Sequence, residues 1–239
     1  MLLCWALTGC PTRPSQGPNP VSQPARELAA TPAHEGRPFD IVSGDSLVRI
    51  LVFRAGPLAK AGHNHVIASH AVTGTIYVPA DPLHTTFELH IPVAELTVDE
   101  PGLRASENSP DFPPEVPDSA KEGTRRNMLS EALLDGTRYA EIILRTERLE
   151  RAEGSPAAAH AVTAHVQVEI RGQRHSMTVP VRYELESGTV VASGELPLRQ
   201  TELGLTPFSA LLGALQVQDE MQVKFRIMAR ATTPSRPVR

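Results

Sequence analysis

Residues 58–78, LAKAGHNHVIASHAVTGTIYV, decide how the rest of the chain is read. Their second half alternates. Val72, Gly74, Ile76 and Val78 fall on one side and Thr73, Thr75 and Tyr77 on the other, the period of a half-buried strand. Their first half places His63 and His65 two apart just after a glycine, so in extended backbone both imidazoles share one face. The preceding residues, 47–55, are nearly all apolar, interrupted by Arg49 and broken by Gly56-Pro57. Together these segments predict a hairpin-like opening to an all-β domain.

Outward from there the same pattern repeats. Strands are predicted over 84–91, 141–149, 162–170, 175–185, 190–198 and 221–227, with turn residues at 171–174 and at Ser187-Gly188. A proline-rich loop, 101–118, precedes a helix predicted over 121–134. Ser119 and Glu122 have capping-box spacing, Gly136 can end the helix, and Met128, Leu129, Ala132 and Leu133 form its apolar stripe. Residues 201–215 read as a loop or short helix. About eight alternating strands joined mostly by short turns imply an antiparallel sheet with one apolar face. Closed on itself, it is a barrel wide enough for one small ligand; as two sheets, it is a sandwich. Periodicity alone does not separate the two.

The chain has 239 residues, a net charge of −4 and few aromatic residues, which argues against a nucleic-acid partner. Residues 1–7 are apolar and run into Leu7-Thr8-Gly9-Cys10, which resembles a bacterial lipobox. No basic residue precedes the apolar run, which leaves room for a start codon a few residues upstream. Residues 1–10 are therefore expected to be a lipoprotein-type signal ending at a lipidated Cys10. Residues 11–38, rich in Pro, Ser, Gln and Ala, are expected to be a disordered tether. Residues 39–231 are expected to form the folded domain and 232–239 a flexible tail. Cys4 and Cys10 are the only cysteines, so the mature domain would carry no disulfide. The expected place is the bacterial periplasm or cell envelope, with the chain held to a membrane by its lipid.

Several segments in order resemble the YceI-like family. They are FDIVSGDSLVRILVFRAG, VTGTIYVPADP, RRNMLSEALLDGTRYAEIILRTERLE, VQVEIRGQRHSMTVPVRYE, SGELPLRQTELGLTPF and VQDEMQVKFRIMARA. The resemblance spans roughly 39–231, and at GHNH it is to a subset with a Gly-His-x-His stretch. It implies a lipocalin-like antiparallel eight-stranded barrel with one or two short helices. It also implies an exported protein holding a long-chain isoprenoid, quinone or other amphiphilic lipid. No other cofactor is called for, and a homodimer is compatible with it. On that reading Phe87, Leu89, Val166, Val168, Met177, Val179, Leu196, Val223 and Phe225 line the interior.

His63 and His65 are the best polar candidates. They could bind a lipid head group, bind a metal if a further ligand joins them, or hydrogen-bond loop carbonyls at a barrel rim. His70, His90 and His175 are available in sequence as further ligands. His175 reads as a satisfied barrel-end histidine. A His-dependent metal or redox accessory protein is thus the alternative function. No Gly-x-Ser-x-Gly, phosphate loop or HExxH occurs, so a binding module is preferred to an enzyme and no catalytic residue is assigned.

Overall fold

The structure, a computed structural model, describes residues 35–154 and 160–232. The expected signal, Cys10, nearly all of the expected tether, the linker at 155–159 and the tail from 233 lie outside the described residues. Twelve strands follow in order: β1 Arg37–Ile41, β2 Leu47–Ala55, β3 His65–Ser69, β4 Thr73–Val78, β5 Thr86–Pro92, β6 Thr97–Val98, β7 Glu141–Arg151, β8 Ala161–Ile170, β9 Gln173–Glu186, β10 Thr189–Arg199, β11 Ser209–Ala210 and β12 Leu215–Ala231. Two α-helices, α1 Pro101–Ser106 and α2 Asp118–Leu129, lie between β6 and β7.

Eight strands close a ring. β1 pairs with β4, and β4, β5, β7, β8, β9, β10 and β12 follow as antiparallel neighbours. β1 then pairs with the end of β12, Phe39 opposite Ala231 and Ile41 opposite Ala229. The molecule is the eight-stranded antiparallel barrel with two helices that the resemblance implies, and not a sandwich. On the edge away from β10, β12 is long enough to serve two partners. Its last residues pair with β1 and its first half with β2, Gln216 opposite Ala55 through Arg226 opposite Leu47. β2 carries β3 and β6 away from the ring.

This layout revises the opening. The hairpin partner of β2 is β3, HVIAS, a run buried at every position and therefore without alternation. The alternating segment is β4, which leaves to pair with β1 and β5. Gly74 makes that departure possible. Its φ is +131°, and a Cβ there would lie 2.1 Å from the Glu88 carbonyl oxygen. β1 takes in Arg37 and Pro38, so the fold begins two residues earlier than expected.

The proline-rich loop contains α1, opened by Pro101 at a position where the missing N–H costs nothing. Phe112, farther along it, packs edge-on to Phe53 at 5.5 Å and joins Leu51 and Val66 in a buried cluster. The loop thus covers the outer side of β2, which explains why that strand is apolar on both faces. α2 starts at Asp118 without a side-chain cap and ends at Leu129, earlier than expected. Ser130 turns extended, and the Gly136 N–H closes the turn on the Leu129 carbonyl at 3.0 Å. Among the described residues no helix is long and apolar enough to cross a membrane.

Candidate functional site

A cavity of about 570 Å³ runs inside the barrel, within the size range of small-molecule sites. All nine residues expected to face inward line it: Phe87 and Leu89 from β5, Val166 and Val168 from β8, Met177 and Val179 from β9, Leu196 from β10, Val223 and Phe225 from β12. Period-two alternation on neighbouring antiparallel strands brings them to one face. Gly194 leaves the room for Phe225, since a Cβ there would lie 2.7 Å from the ring.

The wall changes character along β12. Toward its C-terminal end Phe39, Ile76, Val190 and Ala229 pack into a buried apolar cluster. Toward its N-terminal end the lining becomes polar: Arg54, His63, His65, Thr124, Asn127 and Gln216. α2 contributes Ala120, Gly123, Thr124, Asn127 and Met128, which have the i, i+3, i+4, i+7, i+8 spacing of one helix face. Of the predicted stripe, Met128 and Leu133 line the cavity and Leu129 packs against the core, but Ala132 and Leu133 lie in the turn after the helix, which ends at Leu129.

Both histidines of the opening stretch face this polar end, with ring centroids 6.1 Å apart. His65 is fixed at both nitrogens. Nδ1 lies 2.5 Å from Asp99 Oδ2 and Nε2 3.0 Å from the Thr124 hydroxyl. In the neutral ring Nδ1–H donates to Asp99, leaving Nε2 to accept from Thr124. Asp99 is fully buried and also accepts from the Val66 N–H at 2.9 Å and from Arg104 Nη1 at 2.5 Å. Burial works against the Asp99 charge, but the hydrogen bonds from His65, Val66 and Arg104 outweigh it and hold the carboxyl below its ordinary range. Arg104, also buried, donates to the carbonyls of Asn64 and Pro113 at 2.8 and 2.7 Å. This buried ion pair locks α1, the loop after it and the GHNH stretch together.

Asn64, between the two histidines, accepts from the Arg54 N–H at 2.9 Å and donates to the Asp111 carbonyl at 3.1 Å. His63 is titrated downward, first by burial and then by the charges of His65, Arg104 and Arg54. The order Asp99, His65, Thr124 resembles the acid, base and hydroxyl of a nucleophilic hydrolase. Yet Thr124 sits inside α2, where the neighbouring backbone N–H groups are committed to the helix, so no backbone oxyanion hole accompanies it. The chain of groups orients the His65 ring.

Among the described residues no three His, Cys, Asp or Glu side chains gather as a metal site. His70 pairs with Glu100 at 3.0 Å, and His90 lies 2.9 Å from both Glu88 and Glu141. His175, expected to be satisfied, has its Nε2 buried without a hydrogen-bond partner, close against Gly204.

Sequence reasoning missed Asn64, Asp99, Arg104 and Thr124; Asp99 and Arg104 pair across five residues, but their links to the GHNH stretch, and that of Thr124, span 33 residues or more. It also missed Arg54. Among the described residues this is the only Lys or Arg side chain lining the cavity, and no Asp or Glu of them lines it. Its Nη1 donates to the Gly62 carbonyl at 2.7 Å, and among the described residues no carboxylate pairs with it.

Comparison with known proteins fits this geometry. No curated protein matches the chain. The solved structures that share the fold include the following two. BcnA of Burkholderia cenocepacia is 16% identical with a TM-score of 0.55, covering 79% of this chain and 99% of its own. A polyisoprenoid binding domain from Saccharophagus degradans, implicated in plant cell wall breakdown, is 9% identical with a TM-score of 0.53, covering 81% and 98%. The YceI-like domain profile matches residues 58–229, most of the barrel, and the chain belongs to the YceI-like family.

Proposed function

We propose that this protein is a binding module that holds one long-chain amphiphilic lipid, of isoprenoid or quinone type, inside its barrel. The observation that carries this reading is a closed barrel whose cavity is apolar along its length and polar at one end. Such a cavity suits a long tail with a small head group. Each buried methylene contributes roughly 0.8 kcal/mol before ordering costs, so a long tail needs no charged partner for tight binding. The head group would meet His63, His65 and Arg54. On this reading the chain is a member of a histidine-bearing subset of the family, a choice supported by its Gly-His-x-His stretch. The solved domain described as polyisoprenoid binding supports the choice of ligand class.

The reading extends to the N-terminus. Residues 1–10 serve as an export signal, Cys10 carries the anchor, and the residues from 11 up to the start of β1 at Arg37 tether the barrel to a membrane of the bacterial envelope. Cys10→Ser is expected to move the protein from the membrane fraction to the soluble envelope fraction; unchanged fractionation would reject the anchor. The function itself is tested by mass spectrometry of an organic extract of the purified protein. A single class of long-chain lipid at about one per chain is expected. A folded protein that yields no lipid and takes none up on incubation would overturn the proposal.

A further inference from the structure

Four large apolar side chains stand out as exposed on the described surface: Leu58, Leu185, Leu211 and Leu212. Three of them converge on one rim. Leu58 follows the Gly56-Pro57 break after β2, and Leu211-Leu212 follow β11. The two turns are joined by the Leu58 N–H donating to the Ala214 carbonyl at 2.8 Å. Each is flanked by cavity wall, Ala61, Gly62 and His63 on one side and Phe208, Leu215 and Gln216 on the other. The exposed leucines therefore sit at the polar mouth, where a ligand's head group would lie.

The backbone at the tip is unusual. Leu211, Leu212 and Gly213 have φ of +52°, +55° and +87°. Leucine rarely adopts this left-handed region, which Gly and Asn tolerate. Folding thus spends backbone strain to present two leucines to the outside. The two turns themselves, residues 54–63 and 206–217, contain Arg54 and Lys60 and no Asp or Glu; the nearest carboxylates in sequence, Asp219 and Glu220, lie beyond Gln218 beside Phe208 and Ser209. Lys60 is exposed, and among the described residues it has no carboxylate partner.

We propose that this rim is a membrane-docking tip that inserts Leu58, Leu211 and Leu212 into a bilayer containing anionic lipid, with the cavity mouth held at its surface. A bilayer suits the tip better than a second copy of the chain. Three leucines on two turns supply only a fraction of the roughly 800 Å² per partner that a stable protein interface buries. Apolar tips flanked by cations are what the boundary between acyl chains and anionic head groups accepts. What passes through the mouth rests on the lipid-holding reading of the cavity; docking does not.

The test uses the full-length chain carrying Cys10→Ser, so that no lipid anchor contributes, with and without Leu211→Asn plus Leu212→Asn. Asparagine tolerates the left-handed backbone, so the double variant is expected to unfold at the same temperature or higher. Three quantities are read: sedimentation with phosphatidylcholine vesicles containing phosphatidylglycerol, transfer of a pyrene-labelled long-chain lipid out of those vesicles, and uptake of the same lipid added from ethanol. The double variant is expected to bind vesicles roughly a hundredfold more weakly or worse, from the loss of two inserted leucines. Transfer slows with it, while uptake from ethanol is unchanged. Lys60→Gln is expected to weaken only the part of binding that depends on phosphatidylglycerol. Equal vesicle binding by parent and double variant would overturn docking and leave the cavity untouched. So would a parent that ignores vesicles but self-associates through these leucines. Vesicle binding without lipid uptake by either route would instead reject the lipid-holding reading and keep the tip.

Discussion

Asp99 is the residue on which the mouth depends. Its buried carboxylate serves His65, Val66 and Arg104 together. Asp99→Asn leaves the Arg104 charge buried and unpaired, and loss of one partner of a buried pair costs about 3–5 kcal/mol. Urea unfolding at neutral pH measures this; a change within about 0.5 kcal/mol would show that the network is dispensable. The pH dependence follows from the direction of the Asp99 shift. Its folded pKa lies below the unfolded value, so its contribution is fully present above the unfolded pKa of about 4 and is lost as pH falls through the folded one. His63, shifted down by burial, adds a loss of stability as pH falls below about 6.5, because only the unfolded chain then takes up its proton. Asp99→Asn should remove the lower limb and keep the upper, which deepens because the Asp99 charge no longer favours His63 protonation. At this scale the sequence was partly legible. The His-x-His spacing named two residues that do face the cavity end. Asp99 stands 34 positions from its histidine, and no local pattern links them. The one available hint was Pro101 as a helix start, with Asp99 just ahead of it.

Strands were legible where one face meets the cavity and the other meets solvent. β8, β9 and β10 have that environment, and alternation located them and their inward residues. β3 is buried on both sides and lacks alternation, and β1 is five residues whose place in the ring is set by backbone pairing rather than by side-chain pattern. α2 was found but misjudged, because its cavity face includes Gly123, Thr124 and Asn127, which do not read as apolar. Gly74 is the test of how β4 leaves β3 for β5. Gly74→Ala forces an L residue to φ of +131° and a Cβ against the Glu88 carbonyl. We expect about 3 kcal/mol of destabilisation, from strain and displacement of the β4–β5 ladder, measured by denaturant unfolding. An unchanged midpoint would mean that the strand bends there without need of glycine.

For the whole molecule, the choice between a filled core and a hollow one decides function. Both give the same alternation, so the sequence could specify which residues point inward but not whether they meet. In the folded barrel they pack along the wall and leave a cavity of about 570 Å³ between them, with polar side chains at one end. The most direct measurement is native mass spectrometry of the folded protein beside its Val179→Trp variant. Val179 lines the cavity midway along β9, and an indole there occupies space that a lipid tail would need. The account predicts a wild-type mass raised by one lipid per chain and a variant with the same circular dichroism but little or no adduct. A wild type at its bare polypeptide mass after incubation with long-chain lipid, or a variant carrying as much lipid as the wild type, would contradict it.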